Sequence, residues 1–473
     1  MAASNAYQAC AALVLEDAVT NLSSPRLRNA SLARQLALAI ALASGTAVLA
    51  VPGFADVAHA QKRKKEEKAD ASKPVYSKEF VDAYQPLSTA VNAEGADISG
   101  LKPQLSALVP LAVSADEQVA AGGLLFNAGI KTKDNTLQFQ GVEMMLASGK
   151  LKPEELGRFN LVAFQVAASL NQYDKARNYL QKAIDLNYAA EGVTTSDLQM
   201  NMAELYFSED RNVEGLKYLS DAIAQRKAQG QPVDQKWYRR GVSVAYTNEI
   251  VPQVYDFATA WVIDNPQPEN WRDAVNLTRN LNDFEAPVML DLLRLGKKVG
   301  TLKDKNDYIF YIEAADARRL PMEVKDLIEE ARANGTIPRG ADTYVDEQMG
   351  VASGRIAGDR ADLPVLERDA NAGNAPLRTV IAAGDAFLSY GEYAKAAGFY
   401  QKSLGMAGVD RNLALTRLGI AQIGAGDTAA ARESLAQVDG VRAPVAKLWS
   451  AYAAQQGGSA SAAPAATATA TSI

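Results

Sequence analysis

Residues 382–404 read AAGDAFLSYGEYAKAAGFYQKSL, and residues 417–438 read RLGIAQIGAGDTAAARESLAQV. Aligned, Gly384 matches Gly419, Gly391 matches Gly426, Ala396 matches Ala431 and Tyr400 matches Leu435, each pair 35 residues apart. Self-similarity at that period marks an array of helical hairpins, in which one unit cannot bury its apolar faces alone and relies on its neighbours. In this pattern Gly384 and Ala396 lie where two antiparallel helices come closest, because a larger side chain would force them apart. Gly391 falls in the turn between them, where a left-handed backbone is expected. The large residues Phe387 and Tyr400 are expected to fill the space between one repeat and the next.

Working back from this pair, the same frame recurs. In 157–187, Tyr173 stands three before Ala176, as Tyr393 stands three before Ala396, and Leu180 and Ala183 follow. Ala203, Tyr206, Gly215, Leu219 and Ala222 keep the frame in 196–228, and Ala245, Ala258 and Pro266 keep it in 235–266. Trp271 and Ala274 open a further unit, and 304–335 forms another, with Pro321 at a helix start and Gly335 just past its end. The repeat-like region thus runs over 151–335. Before it, 76–150 reads as two degenerate hairpins that cap the array. After it, 336–375 is rich in Gly, Asp and Arg and is expected to form two short or irregular helices that interrupt the stack. Residues 376–456 hold the two clear repeats and a capping helix in which Val445, Leu448, Trp449 and Tyr452 share a face.

The series G-x-x-F…G-x-Y-x-x-A…Y-x-x-S-L in 384–404 resembles the tetratricopeptide repeat. The likeness is clearest in 377–438 and extends through 157–266. Two departures stand out: Val380 and Leu415 occupy the place of the usual Trp, and the closing Pro survives only as Pro266. The resemblance implies an all-α, right-handed α-solenoid of helical hairpins, whose first helices line a groove for peptides or protein surfaces. In that frame the groove-facing residues are Arg158, Gln165, Glu204, Lys236, Arg239, Ser243, Arg272, Asn276 and Arg279. Lys236, Arg239, Arg272 and Arg279 make its middle basic, which suits an acidic segment or a C-terminal carboxylate.

Composition narrows the chemistry. The formal charge of −6 disfavours nucleic acid, whose binding rests on Lys and Arg neutralising phosphates. The N-terminus has the order of a secretory signal over 1–60: Arg26, Arg28 and Arg34, then the uncharged LALAIALASGTAVLAVPGFA of 36–55, then Ala58-His59-Ala60. Cleavage after Ala60 is expected, with a retained anchor helix as the alternative. The protein would then be periplasmic or secreted, with no membrane span of its own. The single Cys (Cys10) and single His (His59) both precede that point, so no thiol, imidazole or customary zinc chemistry remains beyond it. Residues 61–75 read as a charged disordered spacer and 457–473, GGSASAAPAATATATSI, as a disordered low-complexity tail.

Nucleotide motifs fail on context. Gly424-Ala425-Gly426-Asp427-Thr428-Ala429 matches G-x-G-x-x-A but follows a helical pattern, where a dinucleotide fingerprint needs a strand. In 123–132, Ile130 separates Gly129 from Lys131 and breaks a P-loop core. Glu154-Glu155 and Glu329-Glu330 read as solvated helix faces. The expectation is a non-catalytic scaffold or adaptor with no metal and no cofactor, its oligomeric state open. A carboxylate-dependent glycan-active enzyme or a glycan-binding solenoid is the alternative.

Overall fold

The computed structural model describes residues 74–461. The signal segment with its Ala60 cleavage site, the spacer up to residue 73 and the tail from residue 462 lie outside the described residues. Among the described residues the fold is all-α: 20 α-helices, no strand, and about 75% of positions helical. The helices form two compact units, divided between Pro232 and Val233.

The first unit holds α1 (Lys78–Asn92), α2 (Lys102–Ala107), α3 (Ala115–Thr132), α4 (Asn135–Ala147), α5 (Pro153–Ser169), α6 (Tyr173–Asp185), α7 (Thr195–Ser208) and α8 (Asn212–Ala228). Only α3 and α4 form a hairpin in the segment for which the sequence suggested two. Pro103 starts α2 and Pro110 sits in a separate 3-10 turn, so the chain there makes one short helix between two 3-10 turns. The α3–α4 contact is the tightest kind. A Cβ on Gly122 would lie 2.7 Å from the Gly141 carbonyl oxygen, and one on Gly141 would lie 2.5 Å from that of Gly122. The two backbones touch with no side chain between them. Glu117, at the start of α3, accepts from the backbone N–H groups of Ser77 (2.7 Å), Val113 (3.0 Å) and Ser114 (2.8 Å), which fastens the entry of α1 to α3.

The second unit holds α9 (Gln235–Thr247), α10 (Val251–Asp264), α11 (Pro268–Asn280), α12 (Ala286–Lys298), α13 (Lys305–Ala315), α14 (Pro321–Ala333), α15 (Thr343–Asn371), α16 (Leu377–Ser389), α17 (Tyr393–Ser403), α18 (Arg411–Gly424), α19 (Thr428–Leu435) and α20 (Ala443–Ser461). Three of its hairpins share one device. A Cβ on Gly241, Gly384 or Gly419 would strike the ring of Phe257, the ring of Tyr400 or the side chain of Leu435, in each case 16 residues on. The glycine of the first helix is thus a socket for a large side chain of the second. This corrects the expectation for Tyr400 and Phe387: Tyr400 seats on Gly384, and Phe387 stacks on Phe399 at 5.7 Å, both within the hairpin rather than between repeats. Ala176, Ala396 and Ala431 are fully buried, as the repeat frame requires, whereas Gly215 in α8 is covered by Phe207 and Tyr206 of the preceding helix.

Each of these turns passes through one left-handed residue. It is glycine at Gly391 (φ 75°) and Gly426 (φ 88°), but Lys133, Asn171, Asp210 and Glu249 take the same conformation near 56–58°. Lys133 and Glu249 pay about 1–2 kcal/mol there, so packing of the flanking helices sets those two turns, whereas Asn171 and Asp210 tolerate the conformation through their short polar side chains. The spacings of the four turns, 38, 39 and 39, exceed the 35 between Gly391 and Gly426 because the helices around them are longer and, between α6 and α7, the connection 186–194 is longer too.

Residues 343–371 depart most from the sequence reading. They form one helix, α15, of 29 residues, about 44 Å long at 1.5 Å per residue. Asp342 caps it by accepting from the Val345 N–H at 3.0 Å. Its buried residues are Val345, Ala352 and Ala370, so it is held mainly at its ends, against α14 and α16. A methyl group added at Gly350, Gly354 or Gly358 would meet nothing within 4 Å, and Pro364 lies inside the helix. The richness in Gly suggested breaks because local propensity disfavours glycine, yet the anchored ends carry the helix across its glycines and across Pro364 as well.

The last helix also does more than cover an open end. Helix α20 packs on α19 and α18 and also on α10, α11 and α12, with bonds that span 158 to 193 residues. Lys447 pairs with Asp256 at 2.5 Å, the Gln455 amide donates to the Val262 carbonyl, and the Trp449 indole donates to the Asp291 carbonyl at 2.8 Å. The second unit is therefore closed on itself. At the closure lies a buried ionic network. Asp291 of α12, fully buried, accepts from Arg294 (3.0 Å), Arg417 of α18 (3.3 Å) and Arg442 of the 3-10 turn before α20 (2.8 Å). Arg294 also pairs with Glu323 of α14 through two bonds of 2.8 and 2.7 Å, and Arg417 with Asp385 of α16 at 2.6 Å. Tyr311 donates to Glu323 and Tyr400 to Asp385, each at 2.7 Å. Three carboxylates face three enclosed guanidinium groups, and the exposed Arg319 adds a fourth at the edge, 3.8 Å from Asp385. Burial opposes ionisation of Asp291, but Arg417, Arg294 and Arg442 outweigh it and hold its pKa below the ordinary value.

Candidate functional site

The groove positions inferred from the repeat frame fall in both units. In the first unit Arg158 is exposed and Glu204 half-buried, but Gln165 is only 5% exposed. Gln165 is therefore no groove residue. Helix α5 packs against both α4 and α6, and ten of its residues besides Gln165 are buried, leaving Arg158 as its exposed cation.

In the second unit the positions form two short stripes. Lys236, Arg239 and Ser243 follow one face of α9, and Arg272, Asn276 and Arg279 follow one face of α11, at the i, i+3/i+4, i+7 spacing that aligns side chains on a helix. The opposite face of α9 is core: Trp237, Tyr238, Val244 and Ala245 are buried. Lys236 and Arg239 are exposed, while Ser243, Arg272, Asn276 and Arg279 are half-buried.

The α11 stripe is not the open basic surface that its composition suggested. Arg272 lies 3.2 Å from Asp304 and 3.8 Å from Asp307, and Arg279 lies 3.8 Å from Asp307 with its guanidinium 5.7 Å from the Phe310 ring centre. Both acids belong to the start of α13, where Asp304 caps the helix and Asp307 returns a bond to the backbone of Lys303 and Asp304. Asp273, exposed on α11, feels the charges of Arg239 and Arg272. The surrounding protein pushes its carboxyl pKa up, and the two arginines pull against that rise. Arg272 and Arg279 are thus compensated by the acids of α13, while Lys236 and Arg239 of α9 stay exposed, with Asp234 3.5 Å from Lys236 and Asp273 within electrostatic reach of Arg239.

Reading α9 and α11 alone missed Asp304 and Asp307. A signal was available: D-x-x-D directly ahead of the apolar run from Tyr308 to Ile312 has the form of a capping box, which places both carboxylates at a helix start. That Arg272 and Arg279 reach them follows only from helix packing. The recurrent aromatics also divide. Of the aromatics in the repeat frame, Phe387 and Tyr400 are core, whereas Tyr173 and Tyr206 are half-buried.

Gly424 and Gly426 lie at the end of α18 and in the left-handed turn before α19, as the repeat requires and as a dinucleotide fingerprint does not. Among the described residues no group of three or more His, Cys, Asp or Glu side chains is placed to hold a metal ion, and no helix is long and apolar enough to cross a membrane. No family model matches this chain, and no curated protein matches it.

Proposed function

We propose that this protein is a non-catalytic adaptor of tetratricopeptide-repeat type, acting in the bacterial envelope after export, which holds a protein or peptide partner on the outward faces of its first helices. The observation that carries this reading is the division of labour on α9. Its inner face is committed to the repeat core, and its outer face presents Lys236 and Arg239 to solvent beside the polar Ser243. An acidic segment or a terminal carboxylate of a partner suits that surface, because exposed cations on a rigid helix can form charge-assisted bonds without rearranging the scaffold.

The ionic network around the fully buried Asp291 supports the same reading. Asp291, Glu323, Asp385 and their arginines pair with one another inside the second unit, which makes them ties of the fold rather than an acid–base pair open to a substrate. The test is in vivo crosslinking of the tagged protein in its native envelope, followed by mass spectrometry. It is repeated with Lys236→Glu/Arg239→Glu, which leaves the Arg272 and Arg279 pairs intact. Capture of a defined partner that the double reversal abolishes is the expected result. Unchanged capture by the reversed variant excludes this face, and hydrolysis of a peptidoglycan or polysaccharide panel by the pure protein would replace the adaptor reading by an enzymatic one.

A further inference from the structure

One pocket in the second unit belongs to neither the stripes nor the ionic network. It has a volume of about 350 Å³, within the range of small-ligand sites. Helices α18 and α20 supply its apolar walls: Ile420 and Ile423 from the one, Trp449 and Tyr452 from the other. Tyr393, at the start of α17, closes one side. Trp449 and Tyr452 meet edge to face at 6.0 Å, and Trp271 of α11 meets Tyr452 in the same way at 6.4 Å, which fixes the aromatic wall. Trp449 is itself tied to the Asp291 carbonyl, so this wall is anchored to the closure of the unit. The remaining polar side chains are Thr428, Gln456 and Lys298, and Lys298 is the single charged residue in the lining. Its ammonium stands 5.8 Å from the centre of the Tyr393 ring, at the rim.

An apolar, aromatic-walled cavity with one cation at its edge complements one kind of ligand: an apolar body that ends in one negative charge. We propose that this pocket binds a small amphipathic carboxylate, its hydrocarbon or aromatic part against Ile420, Ile423 and Tyr452 and its carboxylate on Lys298. A neutral sugar would meet few hydrogen-bonding side chains here, the lining offering Thr428, Gln456 and Lys298, and a nucleotide would need more than one cation. The ligand would touch α12, α17, α18 and α20 together, so binding should also strengthen the closure of the second unit.

The full-length protein is titrated by calorimetry with 4-phenylbutyrate and with its neutral amide, and thermal unfolding is followed with each. Wild type is expected to bind the acid saturably, about tenfold more tightly than the amide, the worth of one charge-assisted contact. Its melting temperature should rise with acid concentration. Lys298→Gln, a change at an exposed position, should equalise acid and amide while leaving the amide affinity unchanged. Gln456→Trp, which fills the rim, should weaken both. No saturation in wild type up to about 10 mM, a free energy below that of any specific site, overturns the proposal. Equal affinity of wild type for acid and amide, or an unchanged preference in Lys298→Gln, overturns it too. Tighter binding of a neutral disaccharide than of the acid would assign the pocket to a different ligand. Each readout is independent of partner capture through α9.

Discussion

Replacing Asp291 by Ala should open the second unit. The side chain is fully buried and accepts from three guanidinium groups on α12, α18 and the turn before α20. Removing it affects the three unequally. Arg294 keeps two bonds to Glu323, and Arg417 keeps Asp385 at 2.6 Å. Among the described residues Arg442 has its ion pair with Asp291 alone, so it becomes the buried charge without a counter-ion. Breaking one partner out of such a network costs about 3–5 kcal/mol, most of it the desolvation of the charge left behind. Arg442→Met is the informative control: it leaves Asp291 with two cations and should cost less than half as much. In the double variant, Asp291→Ala/Arg442→Met, part of the loss should be recovered, because the stranded cation is gone. Urea unfolding followed by circular dichroism and tryptophan fluorescence measures all three. Hydrogen exchange along α20 should show its protection falling first, since Trp449 bonds to the Asp291 backbone beside the deleted carboxylate. An Asp291→Ala variant within about 1 kcal/mol of wild type, or an Arg442→Met loss as large as the Asp291→Ala loss, would refute the view that this network holds the closure.

Four further outcomes follow from particular contacts. Glu117 should make the first unit sensitive to acid. Burial opposes its ionisation, but the N–H groups of Ser114 and Ser77 win and lower its pKa from 4.5 to about 2. A depressed carboxylate contributes stability fully above about pH 4.5, lost as the pH falls toward 2. Glu117→Gln should remove that acid-dependent step and cost about 1–3 kcal/mol at neutral pH, measured by urea unfolding across this window. Gly384→Ala should cost about 1–3 kcal/mol, because its methyl would lie 2.8 Å from the fully buried Tyr400 ring; a neutral melting temperature would mean the socket has slack. Ala396→Glu places a charge at a fully buried position of the same hairpin and should cost several kcal/mol, on the order of 4, read in the same melt. Pro364→Ala restores a backbone N–H inside α15 and should stabilise that helix by about 1–3 kcal/mol, visible as slower hydrogen exchange on either side of residue 364.

Residue pattern alone determined the helical class, the hairpin repeat and the positions of its small residues. Gly384, Gly419, Ala176, Ala396 and Ala431 could be named because steric exclusion acts locally, between two helices joined by one short turn, and therefore leaves a fixed spacing in the chain. Four of the turns were less legible because they carry no glycine: Lys133 and Glu249 are held in left-handed backbone by the helices they join, and Asn171 and Asp210 adopt it on their own account. The single helix of residues 343–371 was hidden for the converse reason: its Gly and Pro speak of local propensity, while its anchored ends decide. Charge was least legible of all. Arg272 and Arg279 read as a free basic surface until α13 brought Asp304 and Asp307 to them. Asp291 had no mark in the sequence, since its partners Arg417 and Arg442 lie 126 and 151 residues away. Pairing at that distance is a property of the closed unit. The chain encodes each helix and its neighbour, and only the tertiary structure decides which charges meet across the closure and which remain outside for a partner.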